Sequence, residues 1–290
     1  MRPLEIEHEI IRIDRPEGRL QVIAAGDSGP PVLLLSGAGI DNALLSWRRL
    51  IPQLARTHRV FALDWPHQGS SRPWSGVADH PALLGVLDAV VPVVLETADA
   101  EMLDLVGLSQ GGAMTLAYAI ERAESIRRLV AMAPGGIISF PPVVHQALWL
   151  IARFSGLTTA VTSRMFRTRA GIERFVRSSL IPGPVDDFDE IVEDVLEEAT
   201  RLGGTGASDW QNASIGPLRM RVDLRPRLGE IRRPALLIQG AKDAGISPRF
   251  TAAAARRIPG ARYELIDGAG HWVNRQEPER VGRLVTEFLA

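Results

Sequence analysis

Eight short apolar segments recur along the chain, and each predicts a β-strand. The first two, residues 6–13 and 19–25, alternate as the strands of a hairpin do, and Pro16-Glu17-Gly18 supplies the turn between them. The other six are runs of consecutive apolar residues, which are typical of strands buried on both faces of a parallel sheet. They span residues 32–35, 60–63, 102–106, 129–133, 235–238 and 263–266.

Helical patterns separate several of these strands, and their order indicates the fold class. Strands that alternate with helices predict an α/β fold, with an eight-stranded, mostly parallel sheet covered by helices. The connecting helices are predicted at residues 47–56, 81–95, 112–122 and 248–258.

One long interval, residues 139–225, breaks this alternation. It contains helical patterns without a convincing strand: residues 141–154 are apolar on most sides, whereas residues 185–202 are acidic and amphipathic. We therefore predict a core built from residues 1–138 and 226–290, with the interval between them inserted as a helical segment.

Composition and charge exclude several classes of protein. The 290 residues include 33 basic and 34 acidic ones, so the formal net charge of -1 gives no electrostatic footprint for nucleic acid or an anionic membrane. The chain has no cysteine, which excludes disulfides, thiolate catalysis and cysteine-ligated metals. The N-terminal residues lack the apolar core of a signal peptide, and we find no apolar run long enough to span a bilayer. We therefore expect a cytoplasmic protein.

The expected partner is a small-molecule substrate, without nucleic acid or membrane. No metal or cofactor is expected, because the histidines and carboxylates show no ligand spacing of the His-x-x-x-His kind. The sequence is compatible with a monomer and with a homodimer.

The first candidate for chemistry is Ser109, in the sequence Val-Gly-Leu-Ser-Gln-Gly-Gly between a predicted strand and a predicted helix. Gly-x-Ser-x-Gly at such a turn is typical of a nucleophile elbow, where only glycine at positions 107 and 111 leaves room for the flanking residues to pack together. The positive N-terminal end of the helix would stabilise negative charge that develops at the serine. The alternative is a structural turn in which the serine only caps the helix.

A serine hydroxyl needs a base to become a good nucleophile, and His271 is the histidine best placed to act as one. It follows the last predicted strand in the glycine-rich sequence Asp-Gly-Ala-Gly-His-Trp. Open α/β sheets place reactive groups at the carboxyl ends of their strands. We interpret His8, His58 and His80 as surface or packing residues, and His145 as a core or cavity-lining residue.

The base in turn needs a carboxylate that fixes its tautomer and stabilises the imidazolium. Asp243 comes just after a buried strand and is our candidate. Another strand end, which continues as Pro134-Gly135-Gly136, offers no carboxylate. Asp267 is the weaker alternative, because it is close to the histidine in sequence and is typical of a turn residue.

Two main-chain donors are expected to stabilise an oxyanion. One is the N–H of Gln110, which follows the nucleophile at the start of the helix. The other is the N–H of Ala38, in the loop Ser36-Gly37-Ala38-Gly39 after the third strand, where the glycines let the backbone approach a substrate. Because both donors are main-chain groups, side-chain substitutions there should act mainly through sterics.

With these residues the chain resembles the α/β-hydrolase superfamily over nearly its whole length, and in particular its esterases, lactonases and C–C hydrolases. Ser109, Asp243 and His271 stand in that family's chain order of nucleophile, acid and base. The resemblance implies the α/β-hydrolase sheet, a catalytic triad and an oxyanion hole, and the helical insertion corresponds to the family's cap domain.

Two positions depart from the family pattern. Residues 64–71 resemble the family's Asp-x-x-Gly-x-Gly-x-Ser loop, but His67 replaces its first glycine. Ser36 stands where many relatives carry a histidine, which changes the hydrogen bonding expected of that loop. The serine nucleophile, in place of the aspartate of dehalogenases and epoxide hydrolases, argues against halide displacement and epoxide opening.

We therefore predict a serine hydrolase that cleaves a small or medium, mainly apolar carboxylic ester or lactone through an acyl-enzyme. The same triad is compatible with C–C bond hydrolysis, thioester cleavage or a lyase reaction, because a fold does not determine its chemistry. A third possibility is a non-catalytic, ligand-binding homologue, although a pure binder needs no complete triad.

An apolar substrate pocket is expected from aromatic and apolar residues of the insertion, which also serve to pack a cap, and from Trp272 beside the base. Arg153, Arg164 and Arg167 are candidates to face a substrate carboxylate, with a solvated helix face as the alternative. The apolar candidates are Phe140, Val144, Trp149, Phe154, Met165 and Phe166.

Overall fold

The computed structural model describes residues 4–140, 142–153, 166–201 and 209–290. Within these residues eight strands form one central sheet. Each strand coincides with one of the eight apolar segments, so the predicted eight-stranded sheet is confirmed. The strands are β1 (His8–Arg15), β2 (Gly18–Ala25), β3 (Pro31–Leu35), β4 (Arg59–Asp64), β5 (Leu103–Leu108), β6 (Ile126–Met132), β7 (Ala235–Gly240) and β8 (Arg262–Ile266).

The strand order is β1-β2-β4-β3-β5-β6-β7-β8. β1 and β2 form the predicted antiparallel hairpin, and β2 also pairs antiparallel with β4. All other neighbouring strands of the sheet are parallel. Because parallel strands end at the same edge, the loops after β3, β5, β7 and β8 converge there.

Consecutive side chains of the central strands enter two hydrophobic clusters, one on each face of the sheet. In β3, Val32 and Leu34 belong to one cluster, whereas Leu33 and Leu35 belong to the other. This burial on both faces explains why the parallel strands appear in the sequence as uninterrupted apolar runs.

Helices cover both faces of the sheet. Beyond Trp47, only Ile51–Leu54 of the helix predicted at 47–56 is helical, because Pro52 lacks an N–H and is tolerated only in the first turn of a helix. A separate short helix, Ala43–Trp47, precedes it. The C-terminal helix, which we did not predict, buries Val281, Val285 and Leu289. The described helices are α1 (Ala43–Trp47), α2 (Ile51–Leu54), α3 (His80–Ala98), α4 (Gln110–Glu121), α5 (Pro142–Arg153), α6 (Arg169–Phe175), α7 (Phe188–Arg201), α8 (Asp209–Ser214), α9 (Pro248–Ala255), α10 (Val273–Gln276) and α11 (Pro278–Leu289).

The described residues between β6 and β7 are mainly helical, as predicted. α5 and α7 coincide with the two predicted helical patterns, and a π-helical turn, Val176–Leu180, follows α6. An isolated antiparallel bridge joins Ile215 to Met220. The bounds of the insertion at residues 139 and 225 remain a prediction.

Three acidic side chains of the helical insertion form ion pairs with arginines of the core. Glu198 in α7 is completely buried and pairs with Arg72 in the loop after β4. Its carboxylate also accepts hydrogen bonds from the Asn42 side chain at 3.0 Å and from the Gly69 N–H at 3.1 Å. The insertion is thereby tied to the loops that follow β3 and β4. Two further pairs of this kind are Arg48–Asp194 at 3.0 Å and Arg275–Asp187 at 2.8 Å.

Helix α3 has the length and mean hydropathy of a helix that could cross a membrane, although His80, Asp88 and Glu96 interrupt its apolar residues. Many of its apolar side chains nevertheless pack in the core, and a core helix passes the same test of length and composition. The cytoplasmic location and the absence of a membrane partner remain predictions. The buried side chains of α3 are Leu83, Val86, Leu87, Val90, Val91 and Val94.

Candidate active site

Ser109 lies at the tight turn between β5 and α4. Its backbone has φ 55° and ψ -112°, a conformation that residues other than glycine rarely adopt and that raises the free energy by about 1–3 kcal/mol. Its N–H donates to the carbonyl oxygen of Met132 at 2.9 Å, and its own carbonyl accepts from the N–H groups of Ala113 and Gly135 at 2.9 and 2.8 Å. The neighbouring strand and loop thus hold the serine in this conformation.

The two glycines of the motif leave no room for a side chain. A Cβ at Gly107 would overlap the carbonyl group of Gly111, and a Cβ at Gly111 would overlap the carbonyl group of Leu35 at the end of β3. The close packing that the nucleophile-elbow motif predicts is therefore present. It also brings the end of β3 next to the turn that carries Ser109.

Helix α4 begins at Gln110, directly after the serine. Within the described residues, the Ser109 side chain makes no hydrogen bond that caps the helix, so nothing supports the alternative of a purely capping serine. The positive end of the helix dipole lies at Ser109, where it favours negative charge. The nucleophilic role of Ser109 and the donor role of the Gln110 N–H remain predictions.

His271 is joined to Asp243 across the ends of β7 and β8. The Nδ1 atom of His271 lies 2.8 Å from Oδ2 of Asp243. The other carboxylate oxygen, Oδ1, accepts the N–H groups of Gly245 and Ile246 at 2.7 and 2.8 Å. The alternative acid, Asp267, is an exposed turn residue.

The carboxylate of Asp243 is stabilised in its ionised form. Burial alone would raise its pKa, but its contacts with His271, Ile246 and Gln239 together hold the pKa below the usual value. Asp243 is therefore ionised at neutral pH and can accept a hydrogen bond from Nδ1 of His271.

Gln239 is a site residue that the sequence analysis missed. Its Nε2 donates to Oδ2 of Asp243 at 2.8 Å, while its Oε1 accepts the hydroxyl of Thr251 at 2.6 Å. The Asp243 carboxylate and the Ile246 carbonyl can only accept, so they determine that the NH₂ end of the amide faces them. The available signal was a glutamine at the end of a run of buried apolar residues, because a buried polar side chain requires partners.

The loop after β3 is held by the loop after β4. The Ser36 hydroxyl donates to Oε1 of Gln68 at 3.1 Å, and Nε2 of Gln68 donates to the Gly37 carbonyl at 2.9 Å. The Trp65 indole N–H donates to the Ser36 carbonyl at 3.0 Å. Ser36, at the position where relatives carry histidine, therefore binds Gln68 in this protein.

His67, which replaces a family glycine, adopts the left-handed backbone conformation with φ 68°. Its N–H donates to the carbonyl of Ser71 at 3.1 Å, and its carbonyl accepts Nε of Arg72 at 2.6 Å. The position thus keeps the conformation that explains a glycine in the family pattern.

A cavity of about 110 Å³ lies at the convergence of these loops. Three of the five predicted site residues line it: Ala38, Ser109 and His271. The other two are adjacent to these, since Asp243 hydrogen-bonds His271 and Gln110 follows Ser109 in the chain. The remaining lining is mostly apolar: Gly37, Ile40, Phe166, Phe175, Leu180, Gln211 and Trp272.

The predicted pocket residues Phe166 and Trp272 line this cavity, and the Phe166 and Phe175 rings pack edge to face with centroids 4.9 Å apart. Val144 and Arg167 are exposed instead, which supports a solvated position for that arginine. Phe140 and Trp149 are partly buried but are not among the described lining residues. Phe154, Arg164, Met165 and the Arg153 side chain lie outside what the structure describes.

The other histidines have packing or surface roles. His8 is exposed, whereas His58 is buried and contacts the Thr57 hydroxyl through Nδ1 at 2.8 Å. The buried His145 hydrogen-bonds the Gly216 carbonyl at 2.8 Å. His80 accepts the indole N–H of Trp210 at 3.1 Å.

A larger groove, of about 700 Å³, lies between α2 and α11 and is lined mainly by charged and polar side chains such as Arg56 and Glu279. Among its described lining residues there is none of Ser109, Asp243 and His271. The smaller cavity is therefore the candidate active site.

Comparison with known proteins agrees with this geometry. A family model described as "Alpha/beta hydrolase family" matches residues 32–284. The chain is 29% identical to the 2-hydroxy-6-oxo-2,4-heptadienoate hydrolase of Pseudomonas putida, over 91% of this chain and 90% of that protein. It is also 29% identical to the 2-hydroxymuconate semialdehyde hydrolase of Pseudomonas sp. strain CF600, with 95% of both covered. The crystal structure of carboxylesterase CesB from Bacillus subtilis has the same fold, with a TM-score of 0.75 at 21% identity over 99% of this chain and 93% of that one.

Proposed function

The chain belongs to the alpha/beta hydrolase family and is a hydrolase, and from this premise we propose that it is a serine hydrolase of small, mainly apolar carboxylic esters or lactones. The observation that carries the proposal is the His271–Asp243 hydrogen bond of 2.8 Å beside a cavity that Ser109 and Ala38 also line. A nucleophile, a base with its orienting acid and a main-chain donor then surround one small space.

In the proposed mechanism Ser109 attacks the substrate carbonyl while His271 accepts its proton. Asp243 orients the imidazole through Nδ1 and stabilises the imidazolium. The N–H groups of Gln110 and Ala38 stabilise the oxyanion of the tetrahedral intermediate. His271 then protonates the leaving alcohol and activates the water that hydrolyses the acyl-enzyme.

The cavity supports a short, uncharged acyl group. Its volume of about 110 Å³ is well below the roughly 300–1,000 Å³ that is typical of pockets for drug-sized ligands. Ile40, Phe166 and Leu180 contribute apolar lining, which favours apolar substrate groups. Gln211 adds an amide that can donate and accept hydrogen bonds at the same cavity.

C–C bond hydrolysis is the second candidate, because the two relatives above are named as hydrolases of a dienoate and of a semialdehyde. In that reaction Ser109 would attack a ketone or aldehyde carbonyl, and the leaving group would be a stabilised carbanion, protonated by His271, in place of an alkoxide. Such a dienoate carries a carboxylate, which an apolar lining does not favour. This difference makes the two candidates separable.

The test compares wild type and Ser109→Ala on p-nitrophenyl esters of increasing acyl length, on simple lactones and on 2-hydroxy-6-oxo-2,4-heptadienoate. We expect the highest kcat/KM for short acyl chains and a loss of at least about 1,000-fold in Ser109→Ala. A dienoate kcat/KM far above that of every ester would establish the second candidate instead. Equal turnover by wild type and Ser109→Ala would refute both.

A further inference from the structure

Asp41 is a buried carboxylate in the loop that follows β3 and carries Ala38. It is 1% exposed, although burying an ionised carboxylate is unfavourable unless it is well paired. Its Oδ2 accepts the Gly37 N–H at 2.7 Å and the Ser46 hydroxyl at 2.7 Å, and its Oδ1 accepts the Asn42 N–H at 2.8 Å. The carboxylate therefore closes the loop and ties it to α1.

Gly37 lies between this carboxylate and the candidate nucleophile. A Cβ at Gly37 would lie 2.7 Å from Oδ2 of Asp41 and 3.6 Å from Cβ of Ser109. Gly37 and Ala38 both line the cavity that holds Ser109. The hydrogen bond from Gly37 to Asp41 thus determines how this part of the loop faces Ser109.

The same hydrogen bond distinguishes the two neighbouring N–H groups. An N–H that donates to a carboxyl oxygen at 2.7 Å makes a short hydrogen bond and has no second hydrogen to offer. The N–H of Gly37 is therefore committed to Asp41. Of the two, only the N–H of Ala38 is left for an acceptor in the cavity.

The electrostatic environment of Asp41 also indicates a functional role for this residue. Burial raises its pKa to about 7, although its hydrogen bonds with Ser46, Gly37 and Asn42 favour the ionised form. A carboxyl group kept in such an unfavourable environment beside a catalytic cavity is a candidate for a functional role.

We infer that Asp41 is a positioning residue for the oxyanion site, which holds the N–H of Gly37 and leaves that of Ala38 to the developing negative charge. The inference rests on the proposed serine mechanism. Asp41 itself does not touch the reacting atoms and acts through Gly37, whose N–H it accepts and whose carbonyl group shares a peptide plane with the N–H of Ala38.

Asp41→Asn tests the inference, because asparagine keeps the shape but replaces one acceptor oxygen with an NH₂ group. We expect kcat for a short p-nitrophenyl ester to fall about 10- to 100-fold at nearly constant KM, somewhat less than the loss of a whole oxyanion donor. The affinity for an alkyl boronic acid, which forms a tetrahedral adduct with Ser109, should fall by a similar factor. The affinity for a planar, unreactive amide of the same shape should not change.

Two further variants complete the experiment. Ser46→Ala removes only the hydroxyl contact of Asp41 and should reduce boronate affinity much less. In Gly37→Ala the added methyl group would overlap Oδ2 of Asp41 and displace the carboxylate from the Gly37 N–H. This variant should therefore also lose affinity for the boronate and not for the amide, even if Asp41→Asn does not fold.

Unchanged boronate affinity in a folded Asp41→Asn or Gly37→Ala protein would overturn the inference, as would equal losses for the boronate and the amide. A wild-type protein that binds no boronate through Ser109, with Ser109→Ala as the reference, would overturn the proposed function and the inference with it.

Discussion

His271 Nδ1 and Asp243 Oδ2 lie 2.8 Å apart, and this contact joins the loops that follow β7 and β8. The main-chain N–H groups of Gly245 and Ile246 occupy the other oxygen of the carboxylate, so the loop itself turns Oδ2 toward the imidazole. The orientation of the proposed base is thus built into the backbone of the loop after β7.

We expect Asp243→Asn to retain the fold and to lower kcat/KM by about 1,000- to 10,000-fold, because an amide no longer enforces the productive histidine tautomer or stabilises the imidazolium. Steady-state kinetics on a short ester measure the change. Asp267→Asn is the matched control, since Asp267 is an exposed turn residue close to His271 in sequence, and its activity should stay near wild type. If the two variants exchanged these outcomes, Asp267 would be the acid.

The hydrogen bond from Gln239 is expected to hold the Asp243 carboxylate in position and to stabilise its negative charge. Gln239→Leu removes a hydrogen bond to a charged group and should lower the free energy of unfolding by about 1.5–3 kcal/mol while reducing kcat. Thr251→Val, which removes only the hydroxyl that donates to the amide oxygen, should act in the same direction and less strongly. Urea unfolding and ester kinetics measure both effects. Full activity in a folded Gln239→Leu protein would show that Asp243 needs no such support.

The buried Glu198–Arg72 pair should be sensitive to loss of one partner. Glu198→Gln leaves the Arg72 guanidinium without its counter-charge and should lower the free energy of unfolding by about 3–5 kcal/mol. The exposed ion pair Arg122–Asp88, at 3.2 Å, is the control. Asp88→Asn should change the free energy of unfolding by less than about 1 kcal/mol. Similar small effects at both sites, measured by urea unfolding, would mean that Glu198 does not anchor the insertion.

The buried acids near the site predict how stability depends on pH. Burial raises the pKa of Asp41 to about 7 and that of Asp64 to about 6. Because these values exceed the unfolded value of about 4, the folded protein binds more protons than the unfolded chain between about pH 4 and 7. The free energy of unfolding contributed by these groups therefore falls as the pH rises through that window.

Other groups titrate in the same range, so the measurement is a difference between two proteins. His58 and His80, whose pKa values burial lowers below 6.5, make stability rise with pH below 6.5, and Glu198 acts on both acids through its charge. These contributions remain in Asp41→Asn. Urea unfolding from pH 5 to 8 should show wild type losing stability relative to this variant as the pH rises. Parallel curves would mean that Asp41 does not titrate there.

The parts of the fold that local patterns determine could be predicted from the sequence. Continuous apolar runs predicted the parallel strands, because those strands are buried on both faces. The glycines around Ser109 and His271 were informative because the turns at those strand ends leave little room for side chains. The amphipathic spacing of Val281, Val285 and Leu289 was an available signal for the C-terminal helix and was not used.

Features created by tertiary packing were not predictable in this way. Phe175 and Leu180 reach the cavity only because the insertion folds over Ser109, and nothing in their local sequence indicates that approach. Asp41 resembles an ordinary loop aspartate in the sequence, whereas its burial comes from contacts with α1 and with the main chain of its own loop. The hydroxyl of Thr251 is likewise linked to Asp243 only through Gln239.

The most direct test of the account is intact-protein and peptide mass spectrometry of wild type and Ser109→Ala after acid quenching during turnover of a short p-nitrophenyl ester. We predict an acyl group on the peptide that contains Ser109 in the wild type, and neither acylation nor steady-state turnover in Ser109→Ala. Acylation of a different residue, or undiminished turnover by Ser109→Ala, would contradict it.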